Sequence, residues 1–245
     1  MRSNFSKIIV ILITLVYYIS IWKVLNDNHV MAIKDVGEQY PFLLYISASM
    51  EGYLSSKRLF IYNSLPFVFF LLFYINSESS VVVTRYKSRM AIYWKRSSHI
   101  FFISMLFTLI ILLINLIGGF IYDYKTCIQS NYILFTFVNF LNLTLIYFSI
   151  GVLYYIVFDF FHSSVPIALV TAFLICVSVG FGSRYFQLPW SPQDDANLID
   201  PLLTNLITLK RAFIIILKEM MVALILLIIG MMTIEKKDFS LWSKE

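Results

Sequence analysis

Charge is what this chain has least of. Of its 245 residues, 13% are Asp, Glu, Lys or Arg, about half the share a soluble domain uses to cover its surface. A soluble globular fold is therefore excluded, and a composition that is 60% hydrophobic with a mean hydropathy of +0.81 excludes a disordered chain. Two cysteines, Cys127 and Cys176, are too few for a disulfide-stapled scaffold and too ill-matched in position to argue a bridge. The three histidines, His29, His99 and His162, fall in loops or at the ends of apolar runs and offer no pair for haem.

Several catalytic signatures are missing as well. There is no Gly-rich loop followed by Lys and Ser or Thr to cradle phosphates, so any ATP must be handled by another chain. The His-Glu-x-x-His of intramembrane zinc proteases and the glutamate-rich prenyl-protease-like signature are absent. The Gly180–Ser183 stretch holds a serine, but no histidine accompanies it inside an apolar run. The expectation is a chain that is not an enzyme, holds no metal and binds no cofactor itself.

What the chain has is apolar length. A hydrocarbon core about 30 Å thick takes roughly 20 residues of helix, and six runs meet or approach that: 8–22, 59–75, 100–121, 132–158, 165–182 and 212–234. None alternates strictly, and lipid admits only helices or closed barrels. The predicted fold is all-α: a polytopic membrane protein with six transmembrane helices in a single domain over 1–245. The first run follows Arg2 and Lys7 as a signal peptide would. Trp22 and Lys23 stand where small residues should mark a cleavage site, so it is expected to be retained as an anchor.

Polar residues inside the runs have structural and functional readings. Asn115, Asn139 and Asn142 are expected as hydrogen-bond glue between helices, and Gly118, Gly119 and Gly151 as points of kinking or close helix contact. Lys218 and Glu219 interrupt the last run as a candidate intramembrane polar pair, with a bend or re-entrant segment before Lys218 as one option. The plainer expectation puts them near the interface, paired with other groups, with Lys218 snorkelling outward.

With both termini placed in the cytoplasm, ten basic residues face inward and eight outward, Lys218 lying within a run. Arg85, Lys87, Arg89, Lys95 and Arg96 crowd one short inner connection, where the positive-inside rule acts most strongly. The outer connection Ser183–Arg211 carries Trp190, Asp194, Asp195 and Asp200 among three prolines. Two readings stand for it: an outer gate or contact for a cationic peptide, or ordinary turns with a headgroup-level tryptophan.

The most distinctive stretch is Ser77–His99. Ser77, Ser79 or Ser80 caps a predicted helix with Glu78 in its first turn. As a helix it sets Arg85, Arg89 and Arg96 on one stripe and Val82, Tyr86, Met90 and Tyr93 on another, an amphipathic segment lying on the inner face. Contact with anionic lipid and docking into a cytoplasmic partner both fit. Nucleic acid does not suit one membrane-tethered helix.

Six spans, inward termini, no ATPase of its own and a basic connection after the second span resemble the permease subunit of a type-2 ABC exporter. More narrowly, Arg85, Tyr86, Ser88 and Arg89 within VVVTRYKSRMAIYWKR are similar to a run in permeases associated with bacteriocin and lantibiotic transport. The resemblance implies that 79–96 is a coupling helix, meeting a cytoplasmic ABC ATPase through Glu78, Val82, Arg85, Tyr86, Arg89, Met90 and Tyr93. It further implies ATP and Mg on that ATPase, and a second permease copy or sibling. The cargo would be an amphipathic or hydrophobic peptide or a lipid, and the location the plasma membrane of a Gram-positive-like bacterium. A membrane immunity protein binding a peptide directly, or a secondary transporter, are the alternatives.

Overall fold

The structure, a computed structural model, describes residues 4–36, 52–74, 88–122, 124–161, 164–186 and 190–236. The described residues form helices: α1 (Asn4–Val36), a π-helical turn (Arg58–Tyr62), α2 (Ser64–Tyr74), α3 (Arg89–Tyr122), α4 (Tyr124–Gln129), α5 (Tyr132–Phe160), α6 (Val165–Tyr185), α7 (Pro192–Asp195), α8 (Ile199–Leu203) and α9 (Leu209–Lys236). Five of these, α1, α3, α5, α6 and α9, are long and apolar enough to cross a membrane. The chain is a multi-pass membrane protein.

The predicted span over 59–75 is the one run that is not a single long helix among the described residues. Its residues divide into a 5-residue π-helical turn and the 11-residue α2, together about 25 Å at 1.5 Å per residue, less than a bilayer core. Pro66 in the first turn of α2 has no N–H to continue the ladder from the preceding turn. Upstream, the Asn63 N–H pairs five residues back with the Arg58 carbonyl (2.9 Å). That shift takes it off the Leu59 carbonyl, which instead accepts the Tyr147 hydroxyl at 2.7 Å. A break in one helix thus becomes a tie to another.

α5 is the axis of the bundle. Its apolar window is 61% buried against 11% for α1, and α3, α6 and α9 pack along it, with α2 filling the space against α3 and α5. The centre is aromatic: Phe107 meets Phe67, Tyr147, Phe70 and Tyr18 with ring centroids 5.0–5.8 Å apart, edge-on or tilted as ring quadrupoles prefer. Beside this cluster, Tyr53 donates to the Ile111 carbonyl at 3.3 Å, while the buried Tyr18 hydroxyl has no hydrogen-bond partner among the described residues.

Asn115 behaves as the sequence suggested. Its Oδ1 accepts the Trp22 indole N–H at 3.4 Å and its amide donates to the Tyr132 hydroxyl, joining α1, α3 and α5. Trp22 reaches it because Gly118 has no side chain: a Cβ there would stand 1.9 Å from the Trp22 ring. Cys127 and Cys176 are both buried.

α3 and α9 also differ from expectation. α3 starts at Arg89 and runs without a break for 34 residues, so the helical part of the predicted surface helix 79–96 among the described residues is the first two turns of α3. α9 is one unbroken helix from Leu209 to Lys236, running through Lys218 and Glu219.

Gly118→Ala is expected to displace Trp22 and lower the thermal transition of the purified protein, a loss of about 1 kcal/mol or more. Gly182→Ala, where a Cβ would meet nothing within 4 Å, should leave the transition unchanged or raise it.

Candidate functional site

Polar groups gather at two ends of the bundle, separated along α5 by the stretch from Asn142 to Asp159, about 25 Å of helix. At the first end, α3 and α5 meet through an ion pair. Arg96 Nη1 donates to Asp159 Oδ2 at 2.7 Å, with both side chains 5% exposed. The guanidinium also lies over the Tyr155 ring, 4.8 Å from its centroid. One turn earlier, the Tyr93 hydroxyl donates to the Leu227 carbonyl of α9 at 2.6 Å. α9 has a glycine, Gly230, beside this ring, where a Cβ would come within 2.7 Å of the hydroxyl.

The helix period explains this. Tyr93, Arg96, Ile100, Ile103 and Phe107 follow one another at three- and four-residue steps and are all buried, so the inward stripe of the apolar span continues back into the basic segment. The predicted separation of Arg96 and Tyr93 onto a basic and an aromatic stripe of a surface helix is corrected on this point: both face the bundle. Tyr93 is thereby committed to α9 and not presented to a partner. Met90 is half-buried. Arg89 opens α3, while Glu78, Val82, Arg85 and Tyr86 lie outside the described residues.

At the second end the connection between α6 and α9 folds onto the start of α5. Ser191, extended at φ −142°, caps α7 by accepting the Gln193 N–H, with Pro192 at the first helical position. Asn197 Oδ1 accepts the Ile199 N–H at 3.1 Å and so caps α8. Two α5 side chains hold this connection. The Asn142 amide donates to the Asp195 carbonyl at 2.7 Å, and Asn139 Oδ1 accepts the Leu198 N–H at 3.0 Å. Both are glue, though between a helix and a loop.

The result is an open cleft of about 480 Å³ walled by Trp190, Asp194 and Asp195 on one side and by Lys210, Arg211, Ile214 and Lys218 of α9 on the other. The Trp190 indole N–H donates to Asp195 Oδ2 at 2.7 Å. Burial pushes the Asp195 carboxyl above its ordinary range, moderated by the Trp190 hydrogen bond and by the Lys218 and Arg211 charges. Asp200 lies outside the cleft, with burial again raising its carboxyl.

Lys218 and Glu219 do not form the pair the sequence suggested. Adjacent helical positions point about 100° apart, so Lys218 is exposed on the cleft while Glu219 turns inward to 1% exposure. Glu219 Oε1 has no hydrogen-bond partner among the described residues. No group of three His, Cys, Asp or Glu side chains that could hold a metal occurs among the described residues.

Sequence reasoning missed the Arg96–Asp159 pair. Its available signal was the inward three–four stripe of α3 extended back past Ile100, together with Asp159 as the lone acid of the α5 run. No protein-family model matches the chain, and no curated protein or solved structure is similar to it.

Arg96→Met alone strands a buried carboxylate and is expected to destabilise by about 3–5 kcal/mol; Arg96→Met with Asp159→Leu should recover much of that loss. Thermal unfolding in detergent reads both. Asp195 gives a second test: the unfolded chain releases this proton near its ordinary pKa, the folded chain later, so stability falls as pH rises above about 4 through that window. Asp195→Asn should flatten that part of the stability–pH profile.

Proposed function

We propose that the chain is the membrane-spanning permease subunit of an ATP-driven exporter of the type-2 ABC layout. In this reading the short π turn and α2 complete a sixth pass, both termini are cytoplasmic, and the subunit pairs with itself or a sibling in a bacterial plasma membrane. A separate cytoplasmic ATPase holds ATP and Mg. The cargo is an amphipathic or hydrophobic peptide, or a lipid, exported or cleared for self-protection.

The observation that carries this reading is the way α3 begins. Its basic end is one rigid rod with the third span, and it is tied within two turns to α5 by Arg96–Asp159 and to α9 by Tyr93. A displacement applied at the Arg89 end of α3 is delivered to α5 and α9. A partner that hydrolyses ATP needs such an input lever, whereas a segment that only meets lipid phosphates needs no tie of this kind. The aromatic, charge-poor interior also suits hydrophobic cargo better than a small hydrophilic solute.

Affinity purification of the full chain from its native membranes is expected to recover a P-loop ATPase, and adding the chain should stimulate ATP hydrolysis. Arg85→Glu with Arg89→Glu should reduce recovery and stimulation by at least about tenfold while insertion is unchanged. Stimulation that survives the double change, or the absence of any ATPase, would overturn the assignment.

A further inference from the structure

The cleft at the Ser191–Lys218 end carries a charge pattern that the exporter reading does not use. Three cationic side chains, Lys210, Arg211 and Lys218, line it, all exposed, and none forms an ion pair among the described residues. The carboxylates that share the cleft are already engaged or peripheral. Asp195 is partly buried and accepts the Trp190 indole N–H, and Asp194 is exposed. Cations outnumber carboxylates along the lining, so the cleft favours an anion.

The same cleft is not polar throughout. Ile214 forms part of its wall, and Ile214, Leu217 and Met221, at i, i+3 and i+7, continue as an exposed apolar stripe down α9. Polar cleft and apolar stripe are therefore one continuous surface. Trp190 stands at its rim, where an indole suits the boundary between headgroup and hydrocarbon. A ligand matched to this surface has an anionic head and an apolar tail that leaves the cleft sideways along a lipid-facing helix. A free anion would leave the stripe unused, and a cationic peptide would meet three like charges.

We propose that Lys210, Arg211 and Lys218 form a binding site for the phosphate headgroup of an anionic glycerophospholipid, whose acyl chains lie along Ile214, Leu217 and Met221 of α9. The cations hold the phosphate by charge-assisted hydrogen bonds, and Trp190 closes the side of the cleft opposite α9. The site belongs to this chain alone and stands whether or not an ATPase binds at the other end.

Native mass spectrometry of the detergent-purified full chain tests it, with phosphatidylglycerol, phosphatidylcholine of equal chain length and inorganic phosphate as probes. Phosphatidylglycerol should bind in preference to phosphatidylcholine and resist millimolar phosphate. Lys210→Gln, Arg211→Gln and Lys218→Gln together should weaken its binding by at least about tenfold, Arg211→Gln alone by less, with thermal transitions unchanged. Lys125→Gln, an exposed charge outside the cleft, should have no effect. Three results would overturn the proposal: equal binding of the two lipids, insensitivity to the triple change, or displacement of the lipid by phosphate. Capture of a cationic peptide that is lost on Asp194→Asn with Asp195→Asn would overturn it too, and make the cleft a peptide site.

Discussion

A guanidinium and a carboxylate buried between two helices of an apolar bundle constrain everything around them. Neither Arg96 nor Asp159 can be left alone in that setting, since an uncompensated charge in low dielectric costs several kcal/mol. Their 2.7 Å contact therefore fixes the rotation and depth of α3 against α5. With that register set, Tyr93 reaches the Leu227 carbonyl of α9, and Ile100 comes against Gly151, where a Cβ would leave only 2.5 Å to the Ile100 side chain. The aromatic centre around Phe107 follows two turns further on. The basic end of α3 is consequently built into the bundle, although its composition is that of a surface segment.

The two ends of the bundle handle charge in opposite ways. At the Arg96 end the charges neutralise each other and rigidify the helix packing. At the Ser191–Lys218 end, Asn139 and Asn142 secure the connecting loop by backbone hydrogen bonds, which leaves the cations of α9 available to something outside the chain. Rigidity at one end with open, unpaired charge at the other suits a protein that takes a mechanical input on one face and meets an amphipathic ligand at the other.

Much of the architecture was legible because hydrocarbon thickness imposes it. The long apolar runs, their helical nature and their approximate limits follow from composition and length, and the runs at 132–158 and 165–182 differ from α5 and α6 by at most a few residues at an end. The division of 59–75 into a π turn and α2 turned on Pro66 and on an i+5 pairing that hydropathy does not register. The direction of Tyr93 and Arg96 was hidden because the basic composition sets this segment apart from the apolar span, as though each were a helix with its own faces. One continuous period through both would have turned them inward. In the cleft, Trp190, Asp194 and Asp195 are close in sequence, but Lys210 and Arg211 lie a whole connection away and only folding brings them opposite.

The unbroken, anchored start of α3 is the claim on which the rest stands, and amide hydrogen exchange of the full chain in nanodiscs over residues 90–104 examines it directly. The structure predicts slow exchange running continuously from the Arg96 turn into the span, with protection lost locally when the Arg96–Asp159 pair is removed. A fast-exchanging hinge between Arg96 and Ile100 in the unchanged chain would contradict it, and would make the basic segment a separate surface helix.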